Sequence, residues 1–392
     1  YFMEKKTIKK NRWLFLYICS LFFIAELVLV NFFPVGEVYF ENSSDMMEFR
    51  ISKNKTIGYE LGPNTCESNS DGLHDREHEI IKDSNVVRIM IIGDSVAYGL
   101  GVLPEENYAS QLEKLLNIET MKYEVINLGV IGYDALQIYE RFIEKGLKYK
   151  PDIVIYGYWF NDHHVILNPF EINFFGNCCK DMLWELYIQC RMRFPSLTNI
   201  VKFISNRELT KRIILLNKSI EKNRALSGRS KSKRVRLLKE QVSKEQIDHL
   251  YNLFERKSAI LEDSACDIGF MDGETSREEF IEFVRTIENL KTKCIQNSIR
   301  LIIISTPVLD DFKNYKYTPL YEFLYEFTNS LNIEYFDTVK AFYKEDCRAL
   351  EISETDNIHF NKYGHSIVAK AIAEHLLKNI NLGDQGLNIY YE

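Results

Sequence analysis

The sequence predicts an α/β fold: a three-layer α/β/α sandwich around a five-stranded parallel sheet, with a helical insertion and one N-terminal transmembrane helix. Short apolar runs rich in Ile and Val alternate with segments of helical spacing, a pattern typical of parallel strands buried on both faces. A separate apolar run of 21 residues lies near the N-terminus, close to the length that a helix needs to cross a bilayer. Together these patterns indicate an α/β domain tethered to a membrane.

The N-terminal segment predicts a signal anchor that is retained in the mature chain. A basic tail at residues 1–12 precedes the apolar run at residues 13–33, so the positive-inside rule places the tail in the cytoplasm and the chain after Pro34 outside. A cleaved signal peptide is the competing interpretation, but no small-residue cleavage pattern follows the run. Glu26 is a costly residue inside such a helix. Either it lies near the outer interface or is protonated, or it pairs with a polar group of a partner membrane protein.

Composition limits the classes of function. The 392 residues are 46% hydrophobic, which is enough for one large domain or two ordinary ones. The net charge of −7 argues against a nucleic-acid binder, because phosphate binding needs a basic surface. The His, Cys, Asp and Glu residues show no metal-ligand spacing, so neither a metal nor a cofactor is predicted. The spacing of the eight cysteines does not reveal their pairing.

The remaining chain is predicted to form one large domain after a connecting segment. Residues 34–84 are mixed and polar and are interpreted as a stem and lead-in loop. The α/β domain spans residues 85–380, and a C-terminal tail follows at 381–392. Apolar runs predict strands at residues 87–92, 123–128, 151–158, 300–307 and 333–337. Helical spacing and capping patterns predict helices at residues 104–116, 133–149, 276–296, 320–331 and 362–377.

The α/β alternation is interrupted once. Residues 163–272 have the pattern of helices without a sheet strand, and are interpreted as a helical cap inserted into the domain. A basic run between Arg224 and Lys239 lies within this cap. It is either a solvated or mobile face, or a surface that contacts anionic lipid or acidic glycan.

Ser95 is the strongest candidate for a catalytic nucleophile. It comes just after the first buried strand, and α/β sheets bind their ligands at the carboxyl ends of strands. A serine needs a base that takes its proton and a third group that holds the base. His359 is the best base, and Asp356, three residues earlier, can orient it within a single turn. Ser95, Asp356 and His359 are therefore predicted to form a catalytic triad.

Three groups are predicted to form an oxyanion hole, since a tetrahedral intermediate needs donors aimed at its oxygen. They are the backbone N–H groups of Ser95 and Gly132 and the side-chain amide of Asn161, all from strand ends.

Other polar residues near these positions are predicted to have mainly structural roles. Asp94 and Asp162 are interpreted as hydrogen-bonding groups. His163 and His164 either line the pocket or are ordinary loop histidines, and His365 is predicted to lie at the surface of the last helix.

Four blocks of residues together resemble the SGNH (GDSL-type) hydrolase superfamily, in a membrane-anchored form. They occur in the order of that family: Gly93-Asp94-Ser95, then Gly132, then Asn161-Asp162, and finally Asp356-Asn357-Ile358-His359. The resemblance extends over residues 86–162 and 275–379, which is about half the chain. The resemblance implies a flavodoxin-like sheet, Ser95 as nucleophile, Gly132 and Asn161 as oxyanion donors, and Asp356 and His359 as acid and base.

Two positions depart from the pattern of that family. Val96 replaces a Leu, which is a minor apolar change, and Trp159 stands where a Gly often precedes the Asn-Asp block. The tryptophan would narrow the pocket or shift Asn161. The α/β-hydrolase fold is the alternative, because it also places Ser, Asp and His in this order. It would need a glycine where Ala97 stands, and normally a long gap between its acid and its histidine.

The resemblance and the predicted anchor together imply a periplasmic or extracellular serine esterase that removes O-acyl groups, O-acetyl above all, from a cell-surface glycan. If a sugar hydroxyl replaced water, the same acyl-enzyme on Ser95 would make the protein an O-acetyltransferase. The non-enzymatic alternative is a glycan-binding or assembly subunit that contacts a multispanning membrane acyltransferase near Glu26. A lipase or thioesterase also stays open, because the aromatic residues of the insertion would suit an acyl chain.

Overall fold

The computed structural model of the protein describes residues 39–41, 48–54, 56–64, 68–118, 123–163, 242–262, 277–353 and 356–383. The chain divides into two compact units, Tyr1–Ile51 with Leu167–Leu226, and Ser52–Ile166 with Ser227–Glu392. The described residues of the first unit form two antiparallel strands, β1 (Tyr39–Glu41) and β2 (Glu48–Ile51). The second unit includes a short strand, β3 (Tyr59–Leu61), and all the predicted site residues.

The second unit contains a five-stranded parallel sheet. Counted along the chain, its strands lie in the order 2-1-3-4-5, which is the order of flavodoxin-like folds. The strands are β4 (Val87–Gly93), β5 (Tyr123–Asn127), β6 (Ile153–Tyr158), β7 (Arg300–Ser305) and β8 (Glu334–Asp337). The predicted parallel sheet is thus confirmed, and each strand begins and ends within about two residues of its predicted bounds.

The sequence of β4 explains its interior position in the sheet. Ile89, Met90, Ile91 and Ile92 are each at most 1% exposed, as expected for a strand covered on both faces. β4 pairs with β5 on one side and with β6 on the other, so the strand order reverses beside it. Such a reversal opens a crevice at the carboxyl ends of the strands. Ser95 follows that end of β4 directly.

The described helices cover both faces of the sheet. They are α1 (Ser95–Tyr98), α2 (Tyr108–Leu116), α3 (Ala135–Arg141), α4 (Lys244–Glu262), α5 (Arg277–Gln296), α6 (Thr318–Ser330) and α7 (Lys362–Gly383). α2 packs against α7, whereas α3 packs against α5, α5 against α4, and α4 against α6. The strand order takes the chain from β4 to β5 in one direction across the sheet and from β5 to β8 in the other. Because crossovers between parallel strands are right-handed as a rule, the two sets of helices are expected on opposite faces.

Several elements differ from their predicted bounds. The helix predicted at residues 133–149 is an α-helix only over α3, and it continues as a π-helical turn, Phe142–Gly146, and a 3-10 turn, Leu147–Tyr149. The helix predicted at residues 104–116 begins with a separate 3-10 turn, Pro104–Glu106, before α2. The segment predicted as stem and lead-in loop, residues 34–84, contains β1, β2 and β3, whose three or four residues are too few to show a strand pattern. α7 continues to Gly383 rather than ending at Leu377, because no glycine or proline lies between these two residues.

Several predicted segments lie wholly or mostly outside the described residues. They include the basic tail at 1–12, the anchor at 13–33 and, beyond residue 383, the C-terminal tail. Of the insertion at 163–272, the described residues contain the helix α4. Among the described helices, none combines the length and apolar character that a membrane span requires.

A buried charge network ties the lead-in loop to β4 and β5. The His78 side chain is fully buried, with Nδ1 2.7 Å from Glu124 Oε1 and Nε2 2.9 Å from Asp75 Oδ2. Arg88 Nε donates to the other oxygen of Glu124 at 2.6 Å. Burial alone would lower the pKa of His78, but the hydrogen bonds with Asp75 and Glu124 outweigh it and raise the pKa to about 9. Burial would raise the pKa of Glu124, but hydrogen bonds from His78 and Arg88 lower it to about 2.

We expect the stability of the fold to depend on pH through this network. Because the folded state raises the pKa of His78, its stabilisation is complete below about pH 6.5 and is lost as the pH rises towards 9. Glu124 contributes in the opposite sense, since its lowered pKa makes its stabilisation disappear as the pH falls from about 4.5 towards 2. The advantage of wild type over His78→Gln in free energy of unfolding should be about 3 kcal/mol larger near pH 6 than near pH 10. Urea unfolding at both pH values measures this, and an equal advantage at both would contradict it.

Candidate active site

Ser95 is presented by a sharp turn between β4 and α1. At the end of β4, Gly93 lies opposite Gly157 of β6. A Cβ atom on Gly93 would lie 2.8 Å from the carbonyl oxygen of Gly157, so any side chain there would press on the neighbouring strand. Asp94 caps α1 by accepting a hydrogen bond from the Val96 N–H at 3.0 Å. The first N–H groups of a helix have no acceptor within it, which makes the Ser95 N–H a candidate oxyanion donor.

Ser95, His359 and Asp356 are joined by a continuous chain of hydrogen bonds. Ser95 Oγ lies 2.9 Å from His359 Nε2, and His359 Nδ1 lies 2.8 Å from Asp356 Oδ2. The other carboxylate oxygen accepts the N–H groups of Ile358 and His359 at 3.0 and 2.9 Å. Burial would raise the pKa of Asp356, but the hydrogen bonds from His359 outweigh it and lower the pKa. An ionised Asp356 assigns the proton of the imidazole to Nδ1, which leaves Nε2 free to accept the proton of Ser95.

The turn that carries the acid and the base is held from two sides. The Leu309 N–H, shortly after β7, donates to the carbonyl oxygen of Asn357 at 2.8 Å. The Asn361 N–H donates to the carbonyl oxygen of Leu350 at 2.7 Å. Phe360, next to the base, is fully buried. These contacts fix the backbone of the turn, so the imidazole reaches Ser95 from a rigid support.

The loop that carries Gly132 packs on the helix of the nucleophile. A Cβ atom on Gly129 would lie 2.4 Å from the backbone nitrogen of Tyr98, so the loop and α1 approach as closely as two backbones allow. The Val130 N–H donates to the carbonyl oxygen of Gly93 at 3.1 Å. Gly132 itself has a φ of +71°, in the region that favours glycine. The second predicted donor therefore lies on a loop that contacts the turn of the nucleophile.

Asn161, the third predicted donor, is linked to the residue before the nucleophile. Its side chain interacts with the Asp94 carboxylate and lowers the pKa of that group, and the residue is 6% exposed. Burial raises the pKa of Asp94, although the hydrogen bond from the Val96 N–H offsets part of this effect. The structure thus brings the predicted triad and Asn161 together at one edge of the sheet.

Asp162 and Trp159 stabilise the loop after β6. Asp162 Oδ2 accepts hydrogen bonds from the Trp159 N–H at 3.0 Å and from the Tyr156 hydroxyl at 2.8 Å. Burial and the nearby Asp94 carboxylate raise the pKa of Asp162 well above its usual range. The indole of Trp159 is buried and packs on Phe160, with ring centroids 5.2 Å apart. Asp162 and Trp159 therefore stabilise the loop after β6 through these contacts.

His163 is a core residue. It is 5% exposed and packs edge-on against Phe254 of α4 and Phe283 of α5, with centroids 4.9 and 6.0 Å away. His164 lies outside the described residues.

The prediction of a surface position for His365 is wrong. The residue is 1% exposed and stacks on Tyr108, with ring centroids 5.8 Å apart. It lies one helical turn before Val368 on the buried face of α7, so the apolar stripe of this helix extends to include it.

Tyr59 is the residue near the site that sequence analysis missed. It belongs to β3, within the segment interpreted as a loop, and its hydroxyl donates to the carbonyl oxygen of Ile131 at 2.6 Å. The partner residues are 72 positions apart, and no local pattern marks either of them.

The described residues contain no group of three or more His, Cys, Asp and Glu side chains that could hold a metal ion. What the arrangement can do chemically is nucleophilic attack by an activated serine, followed by acyl transfer to water or to another hydroxyl.

No protein-family model matches the chain, and no curated protein sequence matches it. Among solved structures, the chain is similar to the acetyl xylan esterase AlAXEase, with 13% identity and a TM-score of 0.37 over 74% of this chain and 100% of the other. It is also similar to Axe2, an acetylxylan esterase from Geobacillus stearothermophilus, with 14% identity and a TM-score of 0.38 over 75% and 96% of the two chains. A G-D-S-L family protein from Desulfitobacterium hafniense DCB-2 has 13% identity and a TM-score of 0.36 over 74% and 98%. Similarities at this level carry no functional argument, so the function is inferred from the geometry of the site itself.

Proposed function

We propose that the protein is a serine esterase of SGNH type that removes O-acyl groups, O-acetyl in particular, from a glycan outside the cytoplasm. The observation that carries this proposal is the chain of hydrogen bonds from Ser95 Oγ through His359 to Asp356, at 2.9 and 2.8 Å. A serine is a weak nucleophile unless a base and an orienting carboxylate are arranged in this way.

The acylation step uses the groups of the triad in turn. Ser95 Oγ attacks the ester carbonyl carbon while its proton moves to His359 Nε2. The Asp356 carboxylate, which accepts the Nδ1–H, stabilises the imidazolium. The carbonyl oxygen becomes an oxyanion, and the N–H groups of Ser95 and Gly132 and the amide of Asn161 are the donors proposed to bind it. Collapse of the tetrahedral intermediate breaks the bond between the acyl carbon and the sugar oxygen. The sugar oxygen takes the proton from His359 and leaves as the free hydroxyl.

The deacylation step repeats this sequence with water. His359 takes a proton from a water molecule while the water oxygen attacks the acyl carbon on Ser95. Collapse of this second tetrahedral intermediate breaks the bond to Ser95 Oγ, and His359 returns the proton to Ser95 Oγ. Acetate is released. A sugar hydroxyl in the place of water would instead give a new ester, which is the transferase alternative.

The extracytoplasmic part of the proposal is supported by the sequence alone. A basic tail and a 21-residue apolar run at residues 13–33 precede the α/β domain, in the arrangement of a signal anchor. The substrate would then be an acylated glycan at the cell surface.

The test is release of acetate from 4-nitrophenyl acetate and from an acetylated oligosaccharide by the full chain in detergent. We expect turnover, and a fluorophosphonate probe should form an adduct that peptide mass spectrometry maps to Ser95. Acetyl groups that appear on an added sugar would favour the transferase, and a preference for long acyl chains would favour a lipase or thioesterase. A chain that neither turns over esters nor reacts with the probe would overturn the proposal and favour the assembly subunit.

A further inference from the structure

One hydrogen bond outside the four sequence blocks bears directly on the predicted oxyanion hole. The Tyr59 hydroxyl donates to the carbonyl oxygen of Ile131 at 2.6 Å. That carbonyl and the N–H of Gly132 belong to the same peptide group. In a trans peptide they point in opposite directions, and the described residues contain no cis peptide bond. The bond that holds the oxygen on the side of Tyr59 therefore directs the Gly132 N–H to the other side.

This peptide group is one that can rotate. Its orientation is set by ψ of residue 131 and φ of residue 132, and glycine at 132 adopts positive and negative φ with similar ease. In the structure φ of Gly132 is +71°. A flipped peptide would point the carbonyl oxygen of Ile131 to the side where an N–H donor is needed, and it would repel an oxyanion. A single oriented contact on the carbonyl oxygen is thus enough to favour the productive state.

Tyr59 is itself well fixed. It is 4% exposed, its ring packs edge-on against that of Tyr133 with centroids 5.2 Å apart, and its own carbonyl oxygen accepts a hydrogen bond from the Tyr133 hydroxyl. The amide of Gln137 donates to the carbonyl oxygen of Ile57 at 2.7 Å, which ties the residues just before β3 to α3. Burial raises the pKa of Tyr59 well above its usual range, so the hydroxyl stays a donor at any working pH.

The hydroxyl also lies close to the residue that it is proposed to orient. A Cβ atom on Gly132 would be 2.9 Å from the Tyr59 hydroxyl oxygen. Any side chain at position 132 would therefore displace this hydroxyl, as well as being strained by the positive φ. Position 132 is restricted to glycine partly because Tyr59 occupies the adjacent space.

We propose that Tyr59 is a positioning residue for the oxyanion hole: its hydroxyl holds the Ile131–Gly132 peptide so that the Gly132 N–H is a donor. The inference rests on the proposed function, and specifically on the role of Gly132 as a donor. The inference means that β3, which lies before the four blocks in the chain, affects catalysis through Tyr59. Tyr59 acts through the peptide and touches no reacting atom.

The kinetic test compares Tyr59→Phe with Tyr335→Phe in the full chain. The control variant also loses a tyrosine hydroxyl whose hydrogen-bond partner is neutral. The hydroxyl of Tyr335, in β8, lies 2.7 Å from Oγ of Ser305, in β7. For Tyr59→Phe we expect kcat for 4-nitrophenyl acetate to fall about ten- to thirtyfold with KM within about twofold, because part of one donor's contribution is lost. Tyr335→Phe should keep kcat within about twofold, with a comparable fall in melting temperature. A kcat for Tyr59→Phe equal to that of the control would overturn the inference.

A crystal structure of Tyr59→Phe gives a second readout that does not depend on activity. We expect the Ile131–Gly132 peptide to be flipped, or to occupy both orientations, while the Ser95–His359 contact stays intact. A single unflipped peptide would overturn the inference. The orientation of this peptide tests the role of Tyr59 even if the wild-type protein proves inert towards esters. Such inertness would overturn the proposed function instead.

Discussion

Replacing Ser95 by alanine is expected to lower kcat/KM for an acetyl ester by about 10⁴- to 10⁶-fold while leaving the fold intact. The change removes the protein atom that, in the proposed mechanism, forms a bond to the acyl carbon. His359→Ala should cost about as much, because Ser95 Oγ would lose the base that lies 2.9 Å from it. The double variant should be no slower than either single variant, since the two residues act as one unit. Initial rates with 4-nitrophenyl acetate, corrected for spontaneous hydrolysis, measure all three.

A second histidine provides the control for this prediction. His375 on α7 also forms a hydrogen bond with a carboxylate, 2.8 Å from Glu334, but it lies outside the triad. His375→Ala should retain the wild-type rate. Residual turnover above about 1% in Ser95→Ala would show that another group carries the reaction, and additive losses in the double variant would show that Ser95 and His359 act independently.

Replacing Asn161 by alanine is expected to lower kcat by about 10²- to 10³-fold with little change in KM. The amide is proposed to donate more strongly to the oxyanion than to the neutral ester carbonyl, so its loss affects the transition state more than the bound substrate. The Asn161 side chain interacts with the carboxylate of Asp94, which immediately precedes the nucleophile. Steady-state kinetics of the purified variant give both constants.

The matched control for Asn161 is an exposed asparagine. Asn297, after α5, donates from its side chain to the carbonyl oxygen of Lys293 at 2.8 Å, and Asn297→Ala should leave kcat unchanged. A fall in kcat of less than about threefold for Asn161→Ala would remove this residue from the proposed oxyanion hole. A large rise in KM with kcat intact would instead make the amide a substrate-binding group.

Much of the fold and the candidate triad could be predicted because the determining patterns are local. An apolar run such as that of β4 must be buried on both faces, and alternation with helices then leaves a parallel sheet as the economical solution. Ser95 and His359 are 264 residues apart, yet their meeting could be anticipated. The carboxyl ends of parallel strands share one edge of the sheet, and the first three blocks follow such ends. The fourth block lies between the last strand and the last helix.

His365 shows where a local signal existed and was misread. Val368 and Ile372 follow it by three and seven residues, which is the spacing of a single helix face. A polar residue type led to the prediction of a surface position, whereas position on the helix decides burial. The structure places its ring on Tyr108, within the core between α2 and α7.

What the sequence determined by itself is the sheet, the order of its elements and the residue types of the site, because each follows from periodicity or from residues a few positions apart. Only the tertiary structure decided how the peptide of Gly132 is oriented, that Asn161 interacts with Asp94, and that Tyr59 belongs to the site. These contacts join segments that are far apart in the chain and depend on the direction of single polar groups. Spacing along a sequence fixes which faces meet, but the orientation of an amide or a hydroxyl is set by the partners that packing brings within hydrogen-bonding distance.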